Sequence, residues 1–136
     1  MPPSIQKVLR SSAERFKNEY RSQLRPFEEQ QEVAPGVVVT RTGGHTPGHS
    51  VVRLESGGDR LMFAADALFP VSFDHPEWHN GFEHDPEEAT RVRVPLLREM
   101  AETGELLLAT HLSFPCVCHV KADGDVFRCM PVNWDY

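Results

Sequence analysis

Cysteine is scarce in this chain: Cys116, Cys118 and Cys129 are the only three, all within the last 21 of its 136 residues. An odd count crowded at one end is no disulfide framework, so these thiols read as small hydrophobes of buried or half-buried strands. Cys116-x-Cys118-His119 offers soft metal-ligand types, but no second Cys or His cluster completes a four-ligand zinc site. An excess of positive charge is also missing. Fourteen basic against 20 acidic residues give a formal net charge of −6, which argues against a nucleic-acid partner. No apolar run approaches the roughly 20 residues that span a bilayer, so no membrane partner is expected. The opening Met-Pro-Pro-Ser-Ile-Gln-Lys lacks the charged-then-apolar form of a secretory signal, and a cytoplasmic location is expected. Internal repeats and low-complexity stretches are absent as well.

What is present is ordinary globular composition, enough for one core and one domain over residues 1–136. Residues 1–31 read as an N-terminal helix and connector. Ser4 to Leu24 carries Ile5, Val8, Leu9, Phe16, Tyr20 and Leu24 at helical spacing, with Ser4 as N-cap, Pro26 as stop and Arg25 to Glu32 as polar connector. Short strands follow: Val37 to Thr42, Ser50 to Glu55, and Arg60 to Ala65. The last two are joined by a Ser56-Gly57-Gly58-Asp59 hairpin turn. Leu61 to Ala65 is nearly all apolar, as in a central strand covered on both faces. A loop, Leu68 to His84, leads to a helix with Asp85 as cap, Pro86 at its first position, Glu88 three after the cap and Gly104 as its end. Pro95 inside it is expected to kink or break it. Leu106 to Ala109 and a hairpin of Cys118 to Ala122 with Val126 to Met130 complete an α/β layer in which helices cover a mixed sheet.

Chemistry-bearing residues stand where these strands open into loops. His49 closes the turn Gly43-Gly44-His45-Thr46-Pro47-Gly48-His49-Ser50, Asp66 follows the apolar strand in LMFAADAL, and His111 follows Leu106 to Ala109 in LLLATHLSFP. Alone, a histidine at a strand end is commonly a hydrogen-bonded surface residue and an aspartate a cap. Imidazole and carboxylate together suit zinc, iron or manganese.

The GHTPGHS run, followed in order by the Asp66 and His111 phrases, resembles the later metal-ligand motifs of metallo-β-lactamase-fold hydrolases over Glu32 to Val132. The resemblance implies half of an αββα sandwich. It also implies His49 on one metal, Asp66 bridging two as the catalytic carboxylate, and His111 on the second. The implied cofactor is zinc, with dinuclear occupancy and iron or manganese as alternatives. His45 is expected to support the turn through a hydrogen bond, and His75, Trp78 and His119 to lie near the site or its pocket. The family's first motif, HxHxDH, does not occur in these residues. Two readings follow. One is a hydrolase that attacks a small-molecule ester, lactone or thioester through metal-bound hydroxide. It would be incomplete as an isolated chain, with a homodimer or a complementing N-terminal half supplying the remainder. The other is a non-catalytic remnant or partner-binding module that keeps the fold. A cupin-like metal-binding domain fits worse, because it leaves the interleaved helices unexplained.

Overall fold

The structure, a computed structural model, describes residues 3–133. One seven-stranded sheet organises it, with strands in chain order: β1 (Gln30–Ala34), β2 (Val37–Arg41), β3 (Ser50–Ser56), β4 (Asp59–Phe63), β5 (Leu106–Leu108), β6 (Val117–Asp123) and β7 (Val126–Pro131). Every neighbouring pair is antiparallel except β4 and β5. A parallel pair needs a crossover. Here a 3₁₀ turn (Ala65–Ala67), the short helix α2 (Val71–Asp74) and the long helix α3 (Pro86–Thr103) supply it.

The pleat divides the sheet's apolar residues between two unequal faces. Arg53, Met62, Leu107 and Cys118 stand opposite one another across β3 to β6, and the last three are 0–1% exposed. They meet Leu96, Leu97 and Met100 of α3 and Leu68 and Phe73 of the crossover in one core. The next row, Val39, Val52, Phe63, Leu108 and Val117, points the other way and is only half-buried. Leu54, Leu61 and Leu106 continue that outer face, also short of full burial. The expectation that Leu61 to Ala65 is covered on both faces therefore fails. Apolar composition shows what a strand could bury, not what lies against it.

Three further expectations are corrected. The connector Arg25 to Glu32 runs into an edge strand, β1, whose polar Gln-Gln-Glu opening hides it. Backbone pairing with β2 is enough for an edge that buries little. Pro95 does not interrupt α3, which runs as one helix of 18 residues. Pro95 and Arg91, whose carbonyl the proline leaves without its helical donor, both face solvent. The N-terminal helix α1 spans Pro3–Glu19 rather than Ser4 to Leu24, so Ser4 lies within it and not at its cap. None of its residues is buried. Ile5, Val8, Leu9, Phe16, Tyr20 and Leu24 are exposed, so α3 covers the sheet and α1 does not.

The ends of α3 are as its sequence dictates. Asp85 accepts from the Glu88 amide at 2.9 Å, and Gly104, in a left-handed conformation, donates to Met100 at 3.1 Å.

Candidate functional site

The loops that follow β2 and β4 meet beside the first turns of α3, and the loop after β5 joins them at Asp66. After β2 the chain reverses through Gly43 to Ser50. The amides of Thr42 and Gly43 both donate to the His49 carbonyl (2.8 and 3.1 Å), and the His49 amide donates to Thr46 (3.0 Å). Helix α3 grips this turn. The Gly44 amide donates to the Glu88 carboxylate at 2.9 Å, and the Asp85 and His84 amides donate to the carbonyls of Gly44 and His45. Glu88 thus serves the turn rather than reaching back to its own helix cap. The close approach explains the glycine pair. At φ +79 a β-carbon on Gly44 would stand 2.7 Å from the Ala89 α-carbon, and one on Gly43 would stand 2.9 Å from the Glu88 carboxylate.

This packing buries His49, which is 7% exposed. Its Nδ1 lies 2.7 Å from the Thr42 hydroxyl, whose own proton has the His49 carbonyl within 3.3 Å. With the hydroxyl proton on that carbonyl, Thr42 accepts the Nδ1 proton and the lone pair falls on Nε2. That atom is buried, and no protein donor reaches it. Burial, reinforced by the neighbouring His45, lowers the His49 pKa from 6.5 against the opposing pull of Asp66. A neutral imidazole with a free Nε2 is the form a metal ligand takes.

Asp66 sits in the 3₁₀ turn just past β4, where Ala64 donates to Leu108 and Thr110 to Ala65, locking this turn against the end of β5. Its two oxygens separate two histidines: Oδ2 lies 3.4 Å from His45 Nε2 and Oδ1 lies 3.2 Å from His111 Nε2. Phe69 stacks on the His111 ring at 4.5 Å and 14°. His45 meets His49 edge-on, with centroids 5.9 Å apart.

So the structure sets Asp66 and His111 side by side, and places His49 one imidazole away behind His45. The His45 ring, expected to support the turn through a hydrogen bond to a neighbouring strand, lies instead beside the Asp66 carboxylate. The remaining expected residues lie elsewhere. His75 and Trp78 stack on each other at 3.8 Å beyond α2, lining a separate surface cavity with Arg98 and Asp125. His119 faces outward on β6, bonded to the Gly104 carbonyl at the opposite end of β5 from His111. Sequence reasoning missed Phe69, the grip of Glu88 on Gly44, and a buried Arg93–Glu83 pair beneath the site. All three depend on contacts between separate segments of the chain and leave no periodic signal.

Among the described residues, no three His, Cys, Asp or Glu side chains converge as a finished metal cradle. The donor types fit a metal nonetheless: an unpartnered buried Nε2, a carboxylate between two imidazoles, and a surface-accessible histidine.

The model of the metallo-beta-lactamase superfamily matches residues 2–111. The chain belongs to that superfamily. The match takes in α1 and ends on His111, so it includes His49, Asp66 and His111. Among solved structures, the chain is similar to AidC, a dizinc quorum-quenching lactonase, at 24% identity and TM-score 0.81, covering 98% of this chain and 44% of that one. It is similar to AbOPH, a hydrolase in the beta-lactamase superfamily, at 24% identity and TM-score 0.81, covering 100% and 49%. An N-acyl homoserine lactone hydrolase with its product at the catalytic metal centre is 25% identical at TM-score 0.54, over 67% of this chain and 40% of that one. The chain thus spans less than half the length of these proteins. No curated protein matches it.

Proposed function

We propose that this metallo-beta-lactamase-superfamily chain contributes His49, Asp66 and His111 to a metal-dependent hydrolase site for an ester, lactone or thioester. The observation that carries the proposal is the buried, unpartnered Nε2 of His49 beside the His45–Asp66–His111 cluster. The lactone hydrolase relative with product at its metal centre supports lactones as the substrate class.

Zinc, iron or manganese held by these residues would supply Lewis-acid chemistry to the carbonyl oxygen and to water at neutral pH. The chain's own residues prepare for it. Thr42 fixes the tautomer of His49, Asp66 supplies the anionic charge, and Phe69 holds the His111 ring from one side. Three such ligands serve one catalytic ion, and two ions need more. The further donors come from a second α/β layer over the half-buried outer face of the sheet, on a second copy or a complementing N-terminal half. Among the described residues no helix is long and apolar enough to cross a membrane, and a cytoplasmic location without a membrane or nucleic-acid partner goes with this reading.

A second reading, a partner-binding module without catalysis, rests on the lack of a converged cradle and on that same outer face. Calorimetric titration with zinc, iron(II) and manganese(II), followed by a lactone and thioester panel, separates the two. The hydrolase reading requires one ion bound at micromolar concentration and its loss in His49→Ala. If no ion binds at that level, the hydrolase reading fails.

A further inference from the structure

Arg93 is the largest fully buried side chain of the described residues, 1% exposed, on the inner side of α3. A buried ion pair adds little net stability over apolar side chains of the same size, so its use must be sought in what it holds. All four of its bonds go to one segment, the crossover that carries Asp66. Nε donates to the Ala67 carbonyl (3.3 Å), Nη1 donates to those of Pro76 (3.1 Å) and Trp78 (2.7 Å), and Nη2 pairs with the Glu83 carboxylate. Glu83 in turn accepts from the Asn80 amide at 2.9 Å. Only the planar, five-donor guanidinium fork can grip four acceptors in this way.

Each end of the gripped segment adjoins one of the two residues that meet in the site, Asp66 by sequence and His45 through the neighbouring His84. Ala67 follows Asp66 directly. Beyond Glu83, the His84 amide donates to the His45 carbonyl at 2.9 Å, and the Asp66 carboxylate lies against the His45 ring. Glu83 and Ala67 also wall the small cleft that holds His45 and Asp66. We infer that Arg93 and Glu83 are positioning residues: their clamp closes the crossover into a ring and so sets where Asp66 stands between His45 and His111. As a role in hydrolysis, this rests on the reading proposed above.

Arg93→Lys keeps the charge and loses the fork, and is the first test. Arg93→Met leaves Glu83 buried and unpaired and can unfold the chain, so Arg93→Met/Glu83→Leu is the second, since it removes both charges together. Three measurements are made on parent and variants. Hydrogen exchange of residues 67–84 is expected to quicken about tenfold in both variants, while β3 to β6 stay protected. Histidine ring resonances at one fixed pH should move for His45 and His111 and stay for His119. Zinc affinity should fall about 10–100-fold. Parent-like exchange, or unmoved His45 and His111 resonances in both variants, overturns the clamp. If the parent binds no zinc while exchange and resonances change as stated, the clamp stands and the hydrolase reading fails.

Discussion

Gly44→Ala is expected to destabilise the protein several times more than Gly57→Ala, although both put alanine at positive φ. Gly57, at φ +62 in the β3–β4 turn, has open space where its β-carbon would go, so its substitution costs only the left-handed conformation, about 1 kcal/mol. Gly44, at φ +79, carries the same conformational cost. Its β-carbon would also stand 2.7 Å from the Ala89 α-carbon and 2.9 Å from the Ala89 amide nitrogen. These are helix backbone atoms that cannot rotate away, so α3 or the turn must shift, an overpacking cost of about 1–3 kcal/mol. The shift also stretches the charge-assisted bond from Gly44 to Glu88, now 2.9 Å, which adds up to about 1 kcal/mol. The totals are about 2–5 kcal/mol for Gly44→Ala against about 1 kcal/mol for Gly57→Ala. Urea unfolding by circular dichroism measures both, with equal m-values confirming that native stability alone has changed. Costs equal within about 0.5 kcal/mol would refute the claim that α3 seats the histidine turn.

The depressed pKa of His49 predicts a pH dependence. Because burial lowers it from 6.5, the unfolded chain binds more protons than the folded one between the two values, so stability rises with pH across that window. This contribution is complete above about pH 6.5 and is lost as pH falls through the depressed value. Urea midpoints of the metal-free protein from pH 5 to 8 should show that slope, and a His49→Gln variant should flatten it. An unchanged slope in the variant would assign the effect to another group. The outer sheet face yields the other prediction. Phe63→Glu places a charge amid Val52, Leu108 and Val39 on a half-buried face, so it should break self-association in sedimentation while leaving the fold intact. A variant with the parent's association state would show that a second copy does not use this face.

What was legible in the sequence is what is decided locally. Asp85, Pro86 and Gly104 bound α3 because caps act within one turn, and the Gly57-Gly58 and Gly124-Asp125 hairpins form where glycine and aspartate allow them. The histidine turn, Asp66 and His111 were legible because each lies at a strand end. The rest depends on contacts across the chain. Edge strand β1 is polar, and only β2 makes it a strand. His119 follows His111 closely in sequence, yet the antiparallel return into β6 carries it to the far end of β5. Arg93 reads as one more surface charge on an amphipathic helix until its four acceptors are in place. That α1 has nothing to cover also could not be read from its spacing, which fits a packed helix equally well.

The same nonlocal contacts explain why the site holds two unpartnered nitrogens. His45 Nε2 lies 3.4 Å from the Asp66 carboxylate, and a single ring proton directed at that carboxylate leaves the lone pair on Nδ1. His49 is the mirror case, with its proton on Nδ1 toward Thr42 and its lone pair on Nε2. Both lone pairs are buried, and no protein donor reaches either. Each such acceptor costs about 1–3 kcal/mol, and a fold with no use for it is expected to substitute an apolar residue. Two of them side by side, on rings fixed by Thr42 and by Asp66, mark where a donor or an ion is meant to bind. The two are not equivalent. His45 is held through its Nε2 at Asp66, 3.4 Å away, whereas His49 is held through its Nδ1 at Thr42, 2.7 Å away. His49 Nε2 is the atom that the surrounding bonds leave to a ligand.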